Sequence, residues 1–375
     1  MARHRLLYLF NDAPFFLSHR LPVARAAAAD GYEVHVATPP SPAAAGLVRH
    51  GLTHHPVALT RRGVNPVGQA VSLAAIARLY RRLRPDLIEH ATIKPVLYGG
   101  LVARVLRQPA VVSWMTGLGF VFISQGGRAA LVRRAIAAGY RAALRRPGSW
   151  VIFENPDDRD LFAARGLTDP GRTRLIRGAG VDMTVFQPAP EEPGVAVVVL
   201  AARMLRDKGV VEFVEAARTL RSSGAVARFV LVGAADPDNP AGLPEAQLRA
   251  WRDEGSVEWW GQRDDMAEVF RRAHVVCLPS YREGLPKVLV EAAASGRAIV
   301  ATDAPGCREV VRHEWNGLLV PVRNAAALAE AIGRLLADPA ERARMGVRGR
   351  ERVEQAFSDR HVIRETLAVY AEATG

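Results

Sequence analysis

Cysteine is scarce in this chain of 375 residues: there are two, Cys277 in an apolar run and Cys307 in a Pro-Gly-Cys turn. Two such residues build no disulfide framework, so both are expected as free thiols in a reducing compartment. Long hydrophobic runs are missing as well. No segment reaches the roughly eighteen continuous apolar residues that a bilayer-spanning helix needs. The apolar stretch from Arg5 to Phe10 leads straight into a polar loop and is too short for a secretory leader, so a cytoplasmic location is expected. The glycine-rich nucleotide loops are incomplete: Gly117-Leu118-Gly119 and Gly178-Ala179-Gly180 lack the third glycine of a dinucleotide fingerprint, and no Walker A loop occurs. Both omissions argue against a dinucleotide dehydrogenase or a P-loop nucleotidase.

Acidic residues are also missing, but only from one part of the chain. Met1 to Trp150 holds 20 Lys+Arg against 5 Asp+Glu, a balance of +15; the remainder holds 30 against 33, a balance of −3, within a total of +12. A general bias toward arginine would enrich both parts alike. The asymmetry therefore points to a polyanionic partner for the first part, either nucleic acid or an acidic membrane. With 49% hydrophobic and 23% charged residues the chain is globular, and its length suits two domains with a core each.

The first part alternates predicted strands and helices. Strands are expected at Arg5 to Phe10, Tyr32 to Thr38, His55 to Leu59, Asp86 to His90, Ala110 to Met115 and Trp150 to Phe153, with a polar-aromatic loop over Asn11 to Ser18. Gly, Pro and Glu interrupt the pattern between Gly178 and Gly194, where a linker is placed; the alternation then restarts at Val195. This reads as two doubly wound α/β domains, residues 1–185 and 186–357, with a last helix over 358–375 packing back on the first. Tandem domains of this kind bind ligands in a cleft at the carboxyl ends of their strands.

The most informative stretch runs from Tyr281 to Gly296. The apolar run His274 to Pro279 predicts a buried strand, Pro286 suits a first helical position and Gly296 a left-handed stop, so a helix is expected over Pro286 to Ser295. Its first-turn N–H groups and its dipole would favour an anion. Glu283 and Glu291 are eight residues apart, which on one continuous helix would put them about 80° out of line. Glu283 must therefore precede the helix, while Glu291 lies inside it and leans back toward its start. A carboxylate beside an anion makes sense as an acceptor for neutral hydroxyls such as those of a ribose.

This arrangement resembles the Glu-x7-Glu motif of the family-four retaining glycosyltransferases, which have the GT-B fold of two Rossmann-like domains. The resemblance implies that Glu291 binds the nucleotide ribose, that Glu283 lies by the transferred sugar, and that Gly284, Leu285 and Pro286 lie against sugar and phosphate. It also implies that Arg203 and Lys208, in Ala-Arg-Met-Leu-Arg-Asp-Lys-Gly after the predicted strand Val195 to Ala202, bind the donor pyrophosphate. There they would neutralise charge on the departing diphosphate, as a metal does elsewhere. The strings Asp158-Arg159-Asp160 and Asp236-Pro237-Asp238 have no further carboxylates at ligand spacing, so no metal and no cofactor are expected.

Several stretches of the first part resemble bacterial members acting on polyprenyl-linked acceptors: Phe15 to Pro22, Thr92-Ile93-Lys94-Pro95, Thr116 to Gly119 and Asn155 to Asp158. From these, His19, Arg20 and Lys94 are candidates for acceptor binding, and Thr116, Gly117 and Gly119 for backbone contacts to the donor. The loop after the first strand, Asn11-Asp12-Ala13-Pro14, departs from the Gly-Gly usual in the family. Gln108 to Gly127 is free of charge, and Phe120, Phe122 and Ile123 precede a helix carrying Arg133 and Arg134 and no acid, the composition of an interfacial membrane contact.

The expected activity is retaining, metal-independent transfer from a nucleoside-diphosphate sugar, a UDP-sugar, to a polyprenyl-diphosphate-linked saccharide at the inner face of a bacterial plasma membrane. The transferred group would be a hexose or N-acetylhexosamine. An epimerase or phosphorylase of the same fold is the alternative. A nucleic-acid-binding protein is a remote third, since the basic part lacks a recognition motif.

Overall fold

The computed structural model describes residues 4–59, 66–117, 127–237 and 239–375, with the backbone alone described over 127–133. It comprises two compact units, Met1–Ala179 with Arg360–Gly375, and Gly180–Asp359.

The first unit runs β1 (Arg5–Leu9), α1 (Ala13–His19), α2 (Leu21–Ala29), β2 (Glu33–Thr38), α3 (Ala44–Arg49), β3 (Thr53–Pro56), α4 (Pro66–Leu83) and β4 (Leu87–Ala91). A π-helical turn, Pro95–Gly99, passes into α5 (Gly100–Val105), followed by β5 (Ala110–Met115), α6 (Gly127–Leu144), β6 (Ser149–Phe153), α7 (Pro156–Ala164) and β7 (Thr173–Leu175). The second unit runs β8 (Ala196–Ala201), α8 (Val210–Ser222), β9 (Ala227–Val232), α9 (Glu245–Asp253), β10 (Glu258–Trp259), α10 (Met266–Arg272) and β11 (Val275–Leu278). It continues through α11 (Lys287–Ala294), β12 (Ala298–Thr302), α12 (Cys307–Val310), β13 (Gly317–Val320), α13 (Ala325–Ala337) and α14 (Pro339–Ala356); α15 (Asp359–Thr374) closes the chain.

Both sheets are parallel throughout the described residues, and their strand orders repeat one pattern. The first is β3-β2-β1-β4-β5-β6-β7 and the second β10-β9-β8-β11-β12-β13. In each, the first strand of the unit pairs with its second on one side and its fourth on the other. That reversal is the topological switch point of a doubly wound sheet, and its carboxyl side is where such sheets bind ligands. Strands buried on both faces explain the continuous apolar runs: β11 and β12 are buried at every position. In the second unit one face is covered by Phe213, Leu220 and Ile332, and the other by Leu289, Val290 and Phe357.

One local expectation is corrected. Asn11 to Ser18 was read as a loop, yet Ala13–His19 is helical, because the Asp12 carboxylate accepts a hydrogen bond from the Phe15 N–H and Pro14 sits in the first turn. An Asp cap with proline just inside is a helix start, and Phe16, fully buried against Tyr8 and Phe10, rewards it.

Candidate functional site

In the second unit the switch point lies between β8 and β11. The loop after β8 carries Arg203 and Lys208, and the loop after β11 carries Tyr281 and Glu283, so the topology delivers both sets of predicted side chains to one place. Lys208 Nζ lies 2.5 Å from Glu283 Oε1, with the two side chains 19% and 13% exposed. The same carboxylate oxygen accepts a 2.6 Å hydrogen bond from the buried Ser280 hydroxyl. The Thr302 hydroxyl in turn donates to the Ser280 carbonyl.

Backbone contacts fix the loop in which Glu283 sits. The Tyr281 N–H donates to the Asp207 carbonyl at 2.9 Å and the Glu283 N–H to that of Pro305 at 3.2 Å. Gly306, at φ +80°, closes against this turn: a Cβ there would come within 2.5 Å of the Gly284 carbonyl oxygen. A side chain at 306 would therefore displace Glu283. The Tyr281 hydroxyl donates to Glu212 at 2.6 Å, and the Arg323 guanidinium lies 4.5 Å over its ring. Burial, with Glu212 as acceptor, pushes the Tyr281 phenol up to about 12, so it stays a donor.

α11 is capped by Pro286, which offers no side-chain acceptor to the first turn, and ends before Gly296 at φ +70°. The expected bounds differ from these by one residue at each end. Glu291 is 8% exposed, inside a helix whose Leu289, Val290, Ala292 and Ala293 are buried in the core. Burial raises its pKa, offset in part by the Lys287 ammonium 3.3 Å away, one turn nearer the helix start.

Arg203 does not join the Lys208–Glu283 pair. Its guanidinium meets Asp236 Oδ2 at 3.1 Å and is half exposed. Around it the loops after β8 and β9 are zipped together: Met204 N–H to Ala234, Arg206 N–H to Ala241 and Leu243 N–H to Met204, at 2.8–3.1 Å. Sequence reasoning considered Asp236 only as a metal ligand and passed over Ser280. A serine three residues before Glu283 was a readable signal; Asp236 as counterion was not, since it lies 33 residues from Arg203.

In the first unit the switch point lies between β1 and β4. His19 ends α1, half-buried and stacked on Phe15 at 4.1 Å, with Nδ1 2.7 Å from the Ser18 hydroxyl. Lys94 follows β4, half-buried, its pKa lowered by burial. The turn leading to it contains Thr92 at φ +71°, a strained conformation for a β-branched residue. Thr116 and Gly117 follow β5 and are half-buried.

Arg20 is a correction. Its side chain is 2% exposed, its Nε pairs with the wholly buried Glu89 at 3.0 Å, and the guanidinium lies 3.2 Å over the Trp114 ring. A guanidinium enclosed in this way supports the first unit's core and does not fit the expected contact with an acceptor. Gly119, Phe120, Phe122 and Ile123 lie outside the described residues, as does the side chain of Arg133; Arg134 is exposed on α6.

With this geometry in place, the comparisons are consistent with one class. Residues 5–145 match the family model "Glycosyl transferase 4-like" and residues 195–338 match "Glycosyl transferases group 1", together more than half of the chain. The chain is 29% identical over 344 residues to N,N'-diacetylbacillosaminyl-diphospho-undecaprenol alpha-1,3-N-acetylgalactosaminyltransferase of Campylobacter jejuni, covering 86% of this chain and 89% of that protein. It is 32% identical over 246 residues to the alpha-maltose-1-phosphate synthase of Mycolicibacterium smegmatis, covering 57% of this chain and 60% of that one. Among solved structures, sucrose-phosphate synthase from Thermosynechococcus elongatus superposes with a TM-score of 0.79 at 23% identity, over 99% of both chains. Anabaena HepE in complex with UDP and glucose gives 0.79 at 19% identity, over 98% of this chain and 100% of that one. The fold is therefore GT-B, and the protein is a glycosyltransferase. The chain belongs to the group 1, or family-four, glycosyltransferases.

Proposed function

We propose that this enzyme moves an N-acetylhexosamine or hexose from a UDP-sugar to a polyprenyl-diphosphate-linked saccharide, with retention at the anomeric carbon and without a metal. The observation that carries this reading is the convergence of Lys208, Glu283 and Ser280 at the switch point of the second unit, followed directly by a helix with no side-chain cap and Glu291 inside it. An uncapped helix start and two cations suit a diphosphate. Glu291 is the acceptor for ribose hydroxyls, and Glu283 orients the transferred sugar while anchoring Lys208. As the anomeric C–O bond breaks, Arg203 and Lys208 stabilise the charge on the leaving diphosphate. The acceptor oxygen forms its bond on the same face and its proton passes to the leaving phosphate oxygen, so no separate base is needed.

The choice of acceptor rests on the Campylobacter relative, whose name specifies a diphospho-undecaprenol acceptor. The donor nucleotide is supported by HepE, solved with UDP. His19 and Lys94, at the first unit's switch point, are the residues assigned to the acceptor. The excess of +15 over the first 150 residues suits the anionic inner face of a bacterial plasma membrane. No described helix is long and apolar enough to cross a membrane, so the contact would be peripheral.

Thermal unfolding with UDP, GDP or ADP in excess, EDTA present, tests the donor. A ligand at a hundredfold over its Kd adds about 2.7 kcal/mol, so UDP alone should raise Tm by several degrees; equal shifts with all three would overturn the nucleotide assignment. UDP release that requires an acceptor separates transfer from epimerisation and phosphorolysis.

A further inference from the structure

Between Glu89 and Glu154 the chain contains no acidic residue. The loops that lead into β5 and β6 both lie in this stretch and meet at the amino edge of the first unit's sheet. There they border an open pocket of about 520 Å³ lined by Arg104, Arg107, Gln108, Pro109, Arg146 and Pro147. Arg104 and Arg107 are exposed, whereas Arg146 is 8% exposed. One of its terminal nitrogens donates to the Gln108 carbonyl, and the other, Nη1, is buried with no hydrogen-bond partner among the described residues.

Two other buried arginines are matched to carboxylates, Arg20 to Glu89 and Arg342 to Glu191, and a third, Arg297, bonds the Ala189 carbonyl with the charges of Glu191 and Glu192 nearby. At Arg146 the neighbouring charge is another arginine, Arg104, and burial together with that charge lowers its pKa. A desolvated cation without a counter-charge is costly. Arginines at helix ends do have an ordinary role, and Arg104 donates to the Ala142 and Arg145 carbonyls at the end of α6, at 3.3 and 3.5 Å. Each helix end supplies roughly half a negative charge. The ends of α5 and α6 therefore offset about one of three positive charges, and the surplus remains.

We propose that this pocket binds an anion of the phosphate class, with Arg104 and Arg107 gripping it from the rim and the buried Arg146 guanidinium adding its positive charge from beneath. Guanidinium forks match the geometry of phosphate oxygens and can grip them two at a time. The site is distinct from the assigned donor and acceptor residues: within the first unit it lies a full strand, roughly 17–20 Å, from the carboxyl edge that carries His19 and Lys94. The phosphate could belong to a soluble diphosphate or to a lipid headgroup.

The test uses the full chain carrying Lys208→Met, so that a diphosphate held at the assigned donor site does not contribute. Inorganic diphosphate is titrated by calorimetry at fixed ionic strength, and co-sedimentation is measured with phosphatidylcholine vesicles with and without phosphatidic acid. Saturable binding is expected, weakened at least tenfold by Arg107→Gln and by Arg104→Gln, both exposed and both expected to unfold at the parent's temperature. Arg78→Gln, an exposed arginine on α4, should leave it unchanged. Binding of diphosphate alone identifies a soluble source, and binding of phosphatidic acid vesicles alone a headgroup. The proposal is overturned if neither probe binds, if Arg104→Gln and Arg107→Gln bind like the parent, or if Arg78→Gln weakens binding as much as they do.

Discussion

The two units place an Arg/Lys–Glu pair at the same topological position and use it differently. After the first strand of the first unit comes Arg20, paired with Glu89 on the fourth strand; after the first strand of the second comes Lys208, paired with Glu283 just beyond the fourth strand. The Arg20 pair is 2% and 0% exposed, roofed by Trp114 and extended through Tyr370 and Tyr8, so it ties α15 to β1 and β4. The Lys208 pair remains open to solvent at 19% and 13%. Sealing a pair commits its charges to the fold. Leaving it ajar keeps them available for exchange with a ligand.

The largest test of that contrast is Arg20→Ala. It strands the Glu89 carboxylate, already pushed upward by burial and relieved chiefly by Arg20, and should cost about 3–5 kcal/mol in urea unfolding. A loss under about 1 kcal/mol would mean that water reaches the pair. Lys208→Ala should show the opposite profile. Turnover should fall by about 10²–10³-fold, the scale for removing one donor to a developing negative charge, while stability should fall by less than for Arg20→Ala, about 1–2 kcal/mol, because this pair is less completely buried and Ser280 still donates to Glu283. Comparable stability losses in the two variants would erase the distinction.

That distinction was only half legible in the sequence. The parallel sheets were readable because strands buried on both faces are continuously apolar and are punctuated by turns, as at His274 to Pro279. The helix after Glu283 was readable from Pro286 and Gly296, residues whose backbone preferences act locally. Arg20 was misassigned for a physical reason: its partners Glu89 and Trp114 lie 69 and 94 positions away, and nothing local distinguishes an arginine facing a ligand from one folded under a sheet edge. The Asp12 cap was a local signal that was passed over, because Asn-Asp-Ala-Pro also reads as a turn.

Glu291 sharpens the comparison from the ligand's side. Its carboxyl is held above the usual range, chiefly by burial, with Lys287 opposing. The folded state therefore binds this proton more tightly than the unfolded chain does. The resulting contribution to stability is present below the ordinary glutamate value and is lost as pH rises through the raised folded value. At neutral pH Glu291→Gln should then leave Tm unchanged or higher while weakening UDP binding about tenfold, the scale of one lost charge-assisted hydrogen bond. Its variant should also lose the acid-side decline in nucleotide affinity that protonation of Glu291 gives the parent enzyme. A variant that melts lower and still binds UDP would place Glu291 with the Arg20 pair, as a fold element.

The smallest expected effect concerns Asp236. In the ligand-free unit its carboxylate neutralises Arg203, and the zipped loops keep the two 3.1 Å apart. A donor diphosphate must draw Arg203 away from that partner or share it, so part of the attraction is already spent before binding. Asp236→Asn keeps the shape and removes the competing charge. Because Arg203 is half exposed, water screens the pair and the gain is modest. Donor KM should fall by a few-fold, on the order of 0.5–1 kcal/mol, with kcat nearly unchanged, since the substitution improves ground-state and transition-state binding alike. A rise in KM would instead mean that Asp236 holds Arg203 in its working position, and the Arg203–Asp236 pair would then be structural, as the sealed pair of the first unit is.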